Sequence, residues 1–343
     1  MQSALFSPST EWKEVIDSDE QKLFESFARE IETQQKALAP QPSRPFRGFH
    51  AKLHAGLRAE FQVLDNLPPY ARQGIFREPR TFNAVVRFSN GDQTVTADAH
   101  PQPRGIAIKL WGVDGLKLLP GQEGAKTQDF LATSHSVTST VRNARQFMAF
   151  VRASRNRRTL FFVLAREIGV MESLRILKAV FSTILLSKVT SMATERFSST
   201  APIKFGPYAV KFMVAPAERA EQVPTTPHST PNFLRDELDK RLQRDNLIFD
   251  FFVQFFVDEA RTPIEDTSVF WKSEDAPLLK VAELRIRGPL NDDLSQQVNY
   301  LSFTPWHTTE DHRPLGNIMR ARRVAYVASA ALRGARAEPS QAL

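Results

Sequence analysis

Apolar residues along this chain follow two patterns, one typical of strands and one typical of helices. Five segments rich in β-branched and aromatic residues are bounded by Gly, Pro, Asn or Asp: residues 82–89, 105–112, 208–214, 247–257 and 279–287. Such side chains pack well on a pleated sheet, and the bounding residues mark turns. The pattern therefore favours an antiparallel sheet or barrel over parallel α/β units.

Apolar residues at intervals near 3.6 predict helices elsewhere. Residues 143–194 carry this pattern and should form two or three helices, inserted between the second and third of those strands. Residues 317–337, rich in alanine with interspersed arginine, predict a terminal helix. Together the patterns predict an α+β fold.

The two ends of the chain are more polar. An acidic, helix-compatible segment at residues 8–37 leads into a proline-rich stretch at residues 39–45. This indicates a helical and linker arm over residues 1–45. The folded domain is expected over residues 46–337, followed by a polar tail at residues 338–343.

The most apolar stretch, residues 160–186, is interrupted by charges at Arg166, Glu167, Glu172, Arg175 and Lys178. Because a single bilayer span needs roughly 20 uncharged residues, this stretch is not expected to cross a membrane. It should be amphipathic. Three roles stay open for the longer helical section at residues 160–189: core packing, lining a path for an acyl chain, or contact with a membrane surface.

Composition narrows the function classes. With 343 residues, 42% of them apolar, the chain can fill a large core. No signal-peptide pattern is present, so a cytoplasmic location is expected. The formal charge of +7 is dispersed without a nucleic-acid-binding motif, so nucleic acid is not an expected partner. Cysteine is absent, which leaves His, Tyr, Met or a carboxylate to hold any iron.

The terminal helix carries one of only four tyrosines. Arg322 precedes Tyr326 by four residues and Arg333 follows it by seven, so the three share roughly one helix face. A phenol with a pKa near 10 is a poor ligand, but one beside a guanidinium and Fe³⁺ ionises and binds the metal. The motif alone also fits an amphipathic helix that buries one tyrosine.

Three further blocks accompany it: R-G-F-H-A-K at 47–52, V-R-F-S-N at 86–90 and P-R-G-I-A-I-K at 103–109. In this order and spacing, the blocks resemble the catalase superfamily, with its R-x-x-H-A-K, V-R-F-S, P-R-G-x-A-x-K and R-x-x-x-Y motifs. The resemblance extends over residues 46–333. It implies an antiparallel β-barrel with flanking helices, and haem, of the b type, buried between the barrel and the C-terminal helices.

The resemblance also implies roles for residues on the distal side of the haem. His50 matches the distal histidine, and Ser89 matches the serine that orients its ring. One neutral imidazole can take a proton from a peroxide and return it to the leaving oxygen. Ser134 falls where catalases place an asparagine that holds peroxide.

On the other side of the haem, Tyr326 matches the axial iron ligand and Arg322 the arginine that keeps the phenolate charged. Phe147 matches a phenylalanine that stacks on the distal face of the haem, the same side as His50. The matches to the arginines that pair with the haem propionates are Arg47, Arg87 and Arg333. Bidentate arginine suits buried carboxylates. The other candidate histidines, His54, His307 and His312, are expected to pack or cap.

The chain departs from the family at three positions. Ser134 offers only a hydroxyl in place of the distal asparagine, which disfavours the peroxide-oxidising half of the catalase cycle. Gly91 replaces a valine that narrows the channel, and Gln102 replaces an aspartate. A wider entrance without that charge favours a bulkier peroxide or a reducing co-substrate.

The first expected function is therefore a haem peroxidase that reduces hydrogen peroxide or organic hydroperoxides with a small reductant, with weak catalase activity retained. The alternatives are a lipid hydroperoxide isomerase or lyase and a non-enzymatic haem-binding protein. Because the chain is short for the family, a monomer or homodimer is expected rather than an interlocked tetramer.

Overall fold

The computed structural model describes residues 6–39, 47–134, 140–185, 189–217, 230–335 and 338–343. Nine strands lie in these ranges: β1 Leu53–Val63, β2 Thr81–Asn90, β3 Arg104–Trp111, β4 Thr127–Thr133, β5 Phe197–Ser198, β6 Ile203–Phe205, β7 Tyr208–Pro216, β8 Leu247–Phe255 and β9 Leu279–Ile286. All pair antiparallel. The order β1-β2-β3-β4-β5-β7-β8-β9 returns to β1 and closes an eight-stranded barrel, which confirms the predicted architecture.

Seven α-helices flank the barrel in the described ranges: α1 Glu20–Ala37, α2 Ala144–Ala153, α3 Leu160–Ile168, α4 Val170–Val180, α5 Phe233–Leu242, α6 Asp292–Tyr300 and α7 Asn317–Leu332. The five predicted strands and the terminal helix are present. The three helices of the predicted insertion are also present between β3 and β7, but the same interval contains β4, β5 and β6, which were not predicted.

The missed strand β1 shows why its signal is weak. It packs against α6 on one side, and a Cβ built on Gly56 would lie 2.6 Å from the Cβ of Val298 and 2.9 Å from the Cα of Ser295. The strand therefore needs small residues at this contact. Small side chains lack the β-branched and aromatic signature that identifies the other strands.

Phenylalanine rings fill the inside of the barrel. The ring centroid of Phe251 lies 5.1 Å from those of Phe130 and Phe212 and 5.2 Å from that of Phe61. All four side chains are almost completely buried. Truncating such a ring to alanine typically costs about 3–5 kcal/mol. The barrel is thus a solid core, and the large cavity of the molecule lies outside it.

A second apolar cluster joins the helices. Phe27 and Ile31 of α1 pack with Met148 of α2, Leu164 of α3 and Ile318 of α7. The side chain of Asn143 accepts a hydrogen bond from the Gln146 amide and so caps the start of α2. Helix α1, which the sequence places in an N-terminal arm, is therefore an integral part of the helical layer.

The segment predicted as a polar tail also contacts the barrel. Glu338 is buried beside Lys109 of β3, and the carbonyl of Leu343 accepts a hydrogen bond from Arg58 of β1. In the described parts of the chain, no helix combines the length and apolar character needed to cross a bilayer.

Candidate functional site

A cavity of about 490 Å³ lies between the outer face of the barrel and the helices. Its walls come from α1, α2 and α7, from the segment before β1, and from β2, β3 and β4. Eight of the nine residues predicted for the site line it: Arg47, His50, Arg87, Ser89, Phe147, Arg322, Tyr326 and Arg333. These residues are spread over 287 positions of sequence and are brought together only by the closure of the barrel against α7.

His50 is held tightly on one side of its ring. Its Nδ1 lies 3.1 Å from the Ser89 Oγ of β2. A Cβ built on Gly105 of β3 would lie only 2.5 Å from this Nδ1 and 2.6 Å from Cε1, so the ring rests directly on the glycine backbone. Because Nδ1 is engaged by the serine, Nε2 is the nitrogen left to meet a ligand in the cavity.

The backbone of His50 is strained. Its φ of +58° lies in the left-handed region, where non-glycine residues are uncommon. The His50 amide donates to the Gly91 carbonyl at 3.1 Å, and its carbonyl accepts from Arg87 Nη2 at 2.9 Å. Strain of this kind costs on the order of 1–3 kcal/mol and persists only where surrounding contacts enforce it.

Burial and nearby cations keep the His50 ring neutral. Burial lowers the pKa of His50 to about 3, and the positive charges of Arg87, Arg322 and Arg47 act in the same direction. The imidazole is therefore unprotonated at neutral pH and can accept a proton.

Tyr326 and Arg322 interact along one face of α7, one turn apart. Arg322 Nη2 donates to the Tyr326 hydroxyl at 2.8 Å, and its guanidinium carbon lies 5.0 Å from the ring centroid. The helix is anchored by Trp306, whose indole donates to the Met319 carbonyl at 2.8 Å.

Three guanidinium groups gather at one end of the cavity. Arg47 donates to the carbonyls of Asn299 and Leu301 at 2.9 and 2.8 Å, and Arg333 donates to the same Leu301 carbonyl at 2.7 Å. Arg87 donates to the Asn299 side chain at 3.2 and 3.1 Å. We call Arg47, Arg87 and Arg333 the cavity arginines.

The cavity arginines lack anionic partners in the described residues. No carboxylate there lies within 4 Å of any of them, and Arg47 Nε is buried without a hydrogen-bond acceptor. Burial lowers the pKa of Arg87 to about 9, with Arg333 contributing, and burial lowers that of Arg333 to about 10. Burial and the other two arginines lower the pKa of Arg47 well below its usual value. An anionic ligand would relieve all three.

The remaining walls are mostly apolar, and Asp92, Gln93 and several Ser and Thr side chains also line them. Phe27 and Ile31 of α1 and Phe147 of α2 line the cavity, and the Phe147 ring centroid lies 5.8 Å from that of Phe49. Leu38, just beyond α1, is 41% exposed and lies at the rim. The contribution of α1 was missed. The only signal for it is the apolar periodicity of residues 20–37, which does not reveal what the helix packs against.

Ser134 is the one predicted site residue that lies outside the cavity lining. Its hydroxyl accepts a hydrogen bond from the Arg104 amide at 3.2 Å, and it also interacts with Glu195. The hydroxyl thus has partners at the end of β4, and the structure does not bring Ser134 into the site formed around His50.

Of the two positions that the motif comparison places in the channel, Gly91 lines the cavity and Gln102 does not. Gly91 lines the cavity, and a Cβ there would lie 2.9 Å from the Pro103 carbonyl, so this turn has no room for a larger side chain. Gln102 is buried beside the cavity, where its side chain donates to Thr96 and accepts from the Asp92 amide.

The three other candidate histidines, His54, His307 and His312, are buried in packing or polar roles. His54 lies 2.7 Å from the Asn90 side chain, and His312 Nε2 accepts from the Ile75 amide at 3.1 Å. His307 Nδ1 lies 2.8 Å from Asp129 and 3.2 Å from Glu338. Within the described ranges, no group of three His, Asp or Glu side chains is arranged to hold a metal ion.

The cavity fits haem in chemistry. Tyr326, which accepts a hydrogen bond from Arg322, offers an oxygen ligand for ferric iron, and the apolar part of the walls suits a porphyrin face. The cavity arginines, buried and without carboxylates, match two propionates. His50 supplies a neutral base in the same cavity.

The structure is similar along nearly its whole length to those of catalases. The crystal structure of a fungal catalase and catalase A from Saccharomyces cerevisiae both match with a TM-score of 0.67 at 15% identity, over 98% and 97% of this chain. A bacterial catalase matches with a TM-score of 0.65 over 97% of the chain.

At this identity the similarity shows the fold, and it confirms the predicted catalase-like barrel. The chain spans 67%, 68% and 64% of the three catalases, respectively. No family model and no curated protein matches the sequence.

Proposed function

We propose that this protein is a haem-dependent peroxidase that reduces hydrogen peroxide or organic hydroperoxides at the expense of a small reductant. One observation carries the proposal. A neutral histidine fixed by Ser89, a tyrosine hydrogen-bonded to Arg322 and three arginines without a carboxylate partner among the described residues line a single cavity on a catalase-like fold. Tyr326 would hold the iron of haem b, and the cavity arginines would hold its propionates.

When bound, haem supplies the electrons that break the O–O bond. The side chains of the protein transfer the protons. His50 Nε2 takes the proton from the peroxide and returns it to the departing oxygen, while Ser89 keeps the ring in place at Nδ1. Over a full turnover, a hydroperoxide, two electrons and two protons give an alcohol and water, and the electrons come from the reductant.

Arg322 and the cavity arginines have separate tasks in this scheme. Arg322, 2.8 Å from the Tyr326 hydroxyl, stabilises the phenolate. Arg87 links both ends of the site, because it belongs to the cavity arginines and also donates to the His50 carbonyl. If Arg87 shifts when an anion binds, its hydrogen bond would therefore carry that shift to the backbone of His50.

The apolar walls favour organic hydroperoxides over hydrogen peroxide alone. Phe27, Ile31 and Leu38 extend the lining along α1 to the rim, where a hydrocarbon chain would be desolvated. The same observation favours a second candidate function, a lipid hydroperoxide isomerase or lyase. In that reaction the substrate rearranges without net consumption of a reductant.

The first test is the absorption spectrum of haem-loaded protein. We expect a high-spin ferric, tyrosinate-like spectrum in wild type that is lost in Tyr326→Phe. The matched control Tyr208→Phe removes a phenol from β7, outside the cavity lining, and should leave the spectrum unchanged. Failure of the wild type to take up haem, or an unchanged spectrum in Tyr326→Phe, would overturn the proposed ligand.

The second test follows products rather than peroxide loss, since every candidate activity consumes peroxide. Stoichiometric oxidation of an added reductant identifies a peroxidase, oxygen release a catalase, and a rearranged lipid product an isomerase or lyase. We expect His50→Gln to retain haem but to lose turnover by about 10²-fold or more. Equal rates in wild type and His50→Gln would instead indicate a haem-binding protein without this chemistry.

A further inference from the structure

Large apolar side chains are exposed on the helical hairpin formed by α3 and α4. Phe162 is 74% exposed and Met171 80%, and Val170, Leu174 and Phe181 are more than half exposed. These five lie within 20 residues of one another, although the described chain contains only fifteen exposed large hydrophobic residues. We call them the hairpin apolar patch.

Helical geometry places much of this patch on one side of α4. Val170, Leu174 and Phe181 are spaced by four and seven residues, which repeats on one helix face. The buried residues of α4 are Ser173 and Ile176, on a different face. A surface helix of a globular protein usually directs polar residues outward. Helix α4 is therefore apolar on a side that the other described residues leave exposed.

Positive charges flank the patch. Arg157 and Arg158 precede α3, Arg166 follows Phe162 by one turn, and Lys178 lies between Leu174 and Phe181. All four are exposed, and no carboxylate of the described residues lies within 4 Å of any of them. We call these four the basic rim.

Other charges of the hairpin are paired and so do not offset the basic rim. Arg152 of α2 lies 2.6 Å from Glu30 and 2.8 Å from Glu167, and Arg175 lies 2.5 Å from Glu172. The acidic side chains of α3 and α4 are thus already engaged by other arginines. The surface around the patch is left with a net positive charge.

We propose that the α3–α4 hairpin docks on the surface of an anionic lipid bilayer, with the hairpin apolar patch inserted among the lipid headgroups and acyl chains. Helices of nine and eleven residues are too short to span a bilayer, but they are long enough to lie in its interface. The basic rim meets the negative surface potential of anionic lipids.

Charge decides between a bilayer and a second copy of the chain. Two copies packed patch to patch would bring two basic rims together, and like charges repel at such an interface. An anionic bilayer covers the apolar patch and neutralises the rim at once. The proposal does not depend on haem binding.

Docking would also bring lipids close to the cavity. The inner side of the hairpin packs in the same apolar cluster as Phe147 and Phe150 of α2, which line the cavity. A membrane-bound protein would thus have only one helical layer between its cavity and the bilayer. This arrangement suits a hydroperoxide substrate that resides in the membrane.

The test is co-sedimentation of the full chain with vesicles of phosphatidylcholine alone or of equimolar phosphatidylcholine and phosphatidylglycerol. We expect binding to the anionic vesicles that is about tenfold or more tighter than to the neutral ones and that weakens at about 0.5 M salt. The apolar variant is Phe162→Ser/Met171→Ser/Leu174→Ser, and the charge variant is Arg157→Gln/Arg158→Gln/Arg166→Gln. Each should weaken binding at least about fivefold.

The matched control is Leu116→Ser/Phe270→Ser, which removes two equally exposed hydrophobic residues outside the hairpin and should bind as wild type does. The charge variant changes only exposed polar positions, so it decides the matter even if the apolar variant folds poorly. Absence of wild-type binding, or retained binding by the charge variant, overturns the proposal. So does a lipid-free dimer in sedimentation velocity that the apolar variant abolishes, since the patch would then be a protein interface.

Discussion

Two clusters of cations lie close to the Phe303 ring. Arg47, one of the cavity arginines, has its guanidinium carbon 5.7 Å from the ring centroid, and Lys109 has its ammonium nitrogen 5.5 Å from it. Lys109 lies 2.7 Å from Asp129 and 2.7 Å from Glu338. With His307, these residues form what we call the carboxylate cluster. Among the described residues, no carboxylate lies within 4 Å of the cavity arginines.

The difference separates a structural cluster from a binding site. Burial opposes the ionisation of Asp129, but Lys109 and His307 outweigh it and hold its pKa below the ordinary value. The charges of the carboxylate cluster are therefore paired within the chain itself. Desolvation of the cavity arginines costs free energy as long as no anion is bound, and binding an anion offsets that cost.

The largest expected effect comes from breaking the carboxylate cluster. Asp129→Asn removes a charge that faces Lys109 and His307, and we expect the free energy of unfolding to fall by about 3–5 kcal/mol. Urea denaturation of the haem-free protein measures it. The control Asp114→Asn breaks an ion pair of the same 2.7 Å length, but this pair is exposed, and stability should hardly change. Equal losses in the two variants would contradict the distinction drawn here.

Removing a cavity arginine should have little effect on stability and a large effect on haem affinity. Arg333→Gln is the cleanest choice, because Arg333 donates only to main-chain carbonyls in the described residues. We expect unchanged or slightly raised stability of the haem-free protein and a loss of haem affinity of roughly 100-fold, since a buried carboxylate of haem would lose its partner.

Haem dimethyl ester, which lacks the propionate charges, is the matched ligand for that experiment. Wild type should bind the ester much more weakly than haem, and Arg333→Gln should discriminate less between the two. If the variant loses haem and ester affinity equally, Arg333 acts on cavity shape and not on ligand charge.

Gly105→Ala should displace His50, the proposed base, without disturbing the cavity arginines or the carboxylate cluster. The added methyl group would lie 2.5 Å from His50 Nδ1 and 2.9 Å from Ser89 Oγ, so the ring must move. Because displacements of about 1 Å can cost up to 10²-fold in rate, we expect turnover to fall about 10- to 100-fold with the haem spectrum retained. Gly124→Ala, where a Cβ has no neighbour within 4 Å, should behave as wild type. A wild-type rate for Gly105→Ala would show that the ring position is not critical.

The two clusters also show what sequence can predict. The cavity arginines lie in short motifs, R-G-F-H at 47–50 and V-R-F-S at 86–89, and in the terminal helix, so each could be identified locally. The carboxylate cluster could not be predicted, because Lys109 and Glu338 are 229 positions apart and neither lies in a pattern that indicates a partner. The strands found from sequence carry aromatic and β-branched residues, whereas β1 is shaped by its contact with α6.

The site itself was predictable where the geometry is local and was missed where it depends on packing. His50 and Ser89 were paired from motifs, and their 3.1 Å contact agrees with that pairing. The placement of Ser134 depended on counting along a segment whose course the sequence does not determine. The walls contributed by α1 depend on how that helix meets α2 and α7.

The smallest expected effect is the pH dependence of the free energy of unfolding that comes from His50, whose pKa responds to the positive charges around the cavity. Its pKa of about 3 in the folded protein is below the ordinary value near 6.5, so the unfolded chain binds the proton first as pH falls. Stability is therefore complete above about pH 6.5 and is lost progressively as the pH falls toward 3. At about pH 5.5 this group should account for about 1 kcal/mol of the loss. His50→Gln should remove that loss from the haem-free protein in paired denaturation curves at that pH and at about pH 7.5.

Haem binding should change this acid sensitivity. Because Arg87 and Arg47 contribute to the low pKa of His50, haem should raise that pKa by neutralising them, and the acid sensitivity due to His50 should shrink in the haem-loaded protein. An acid sensitivity that is the same in both forms would mean that burial alone, and not the unpaired arginines, keeps this histidine neutral.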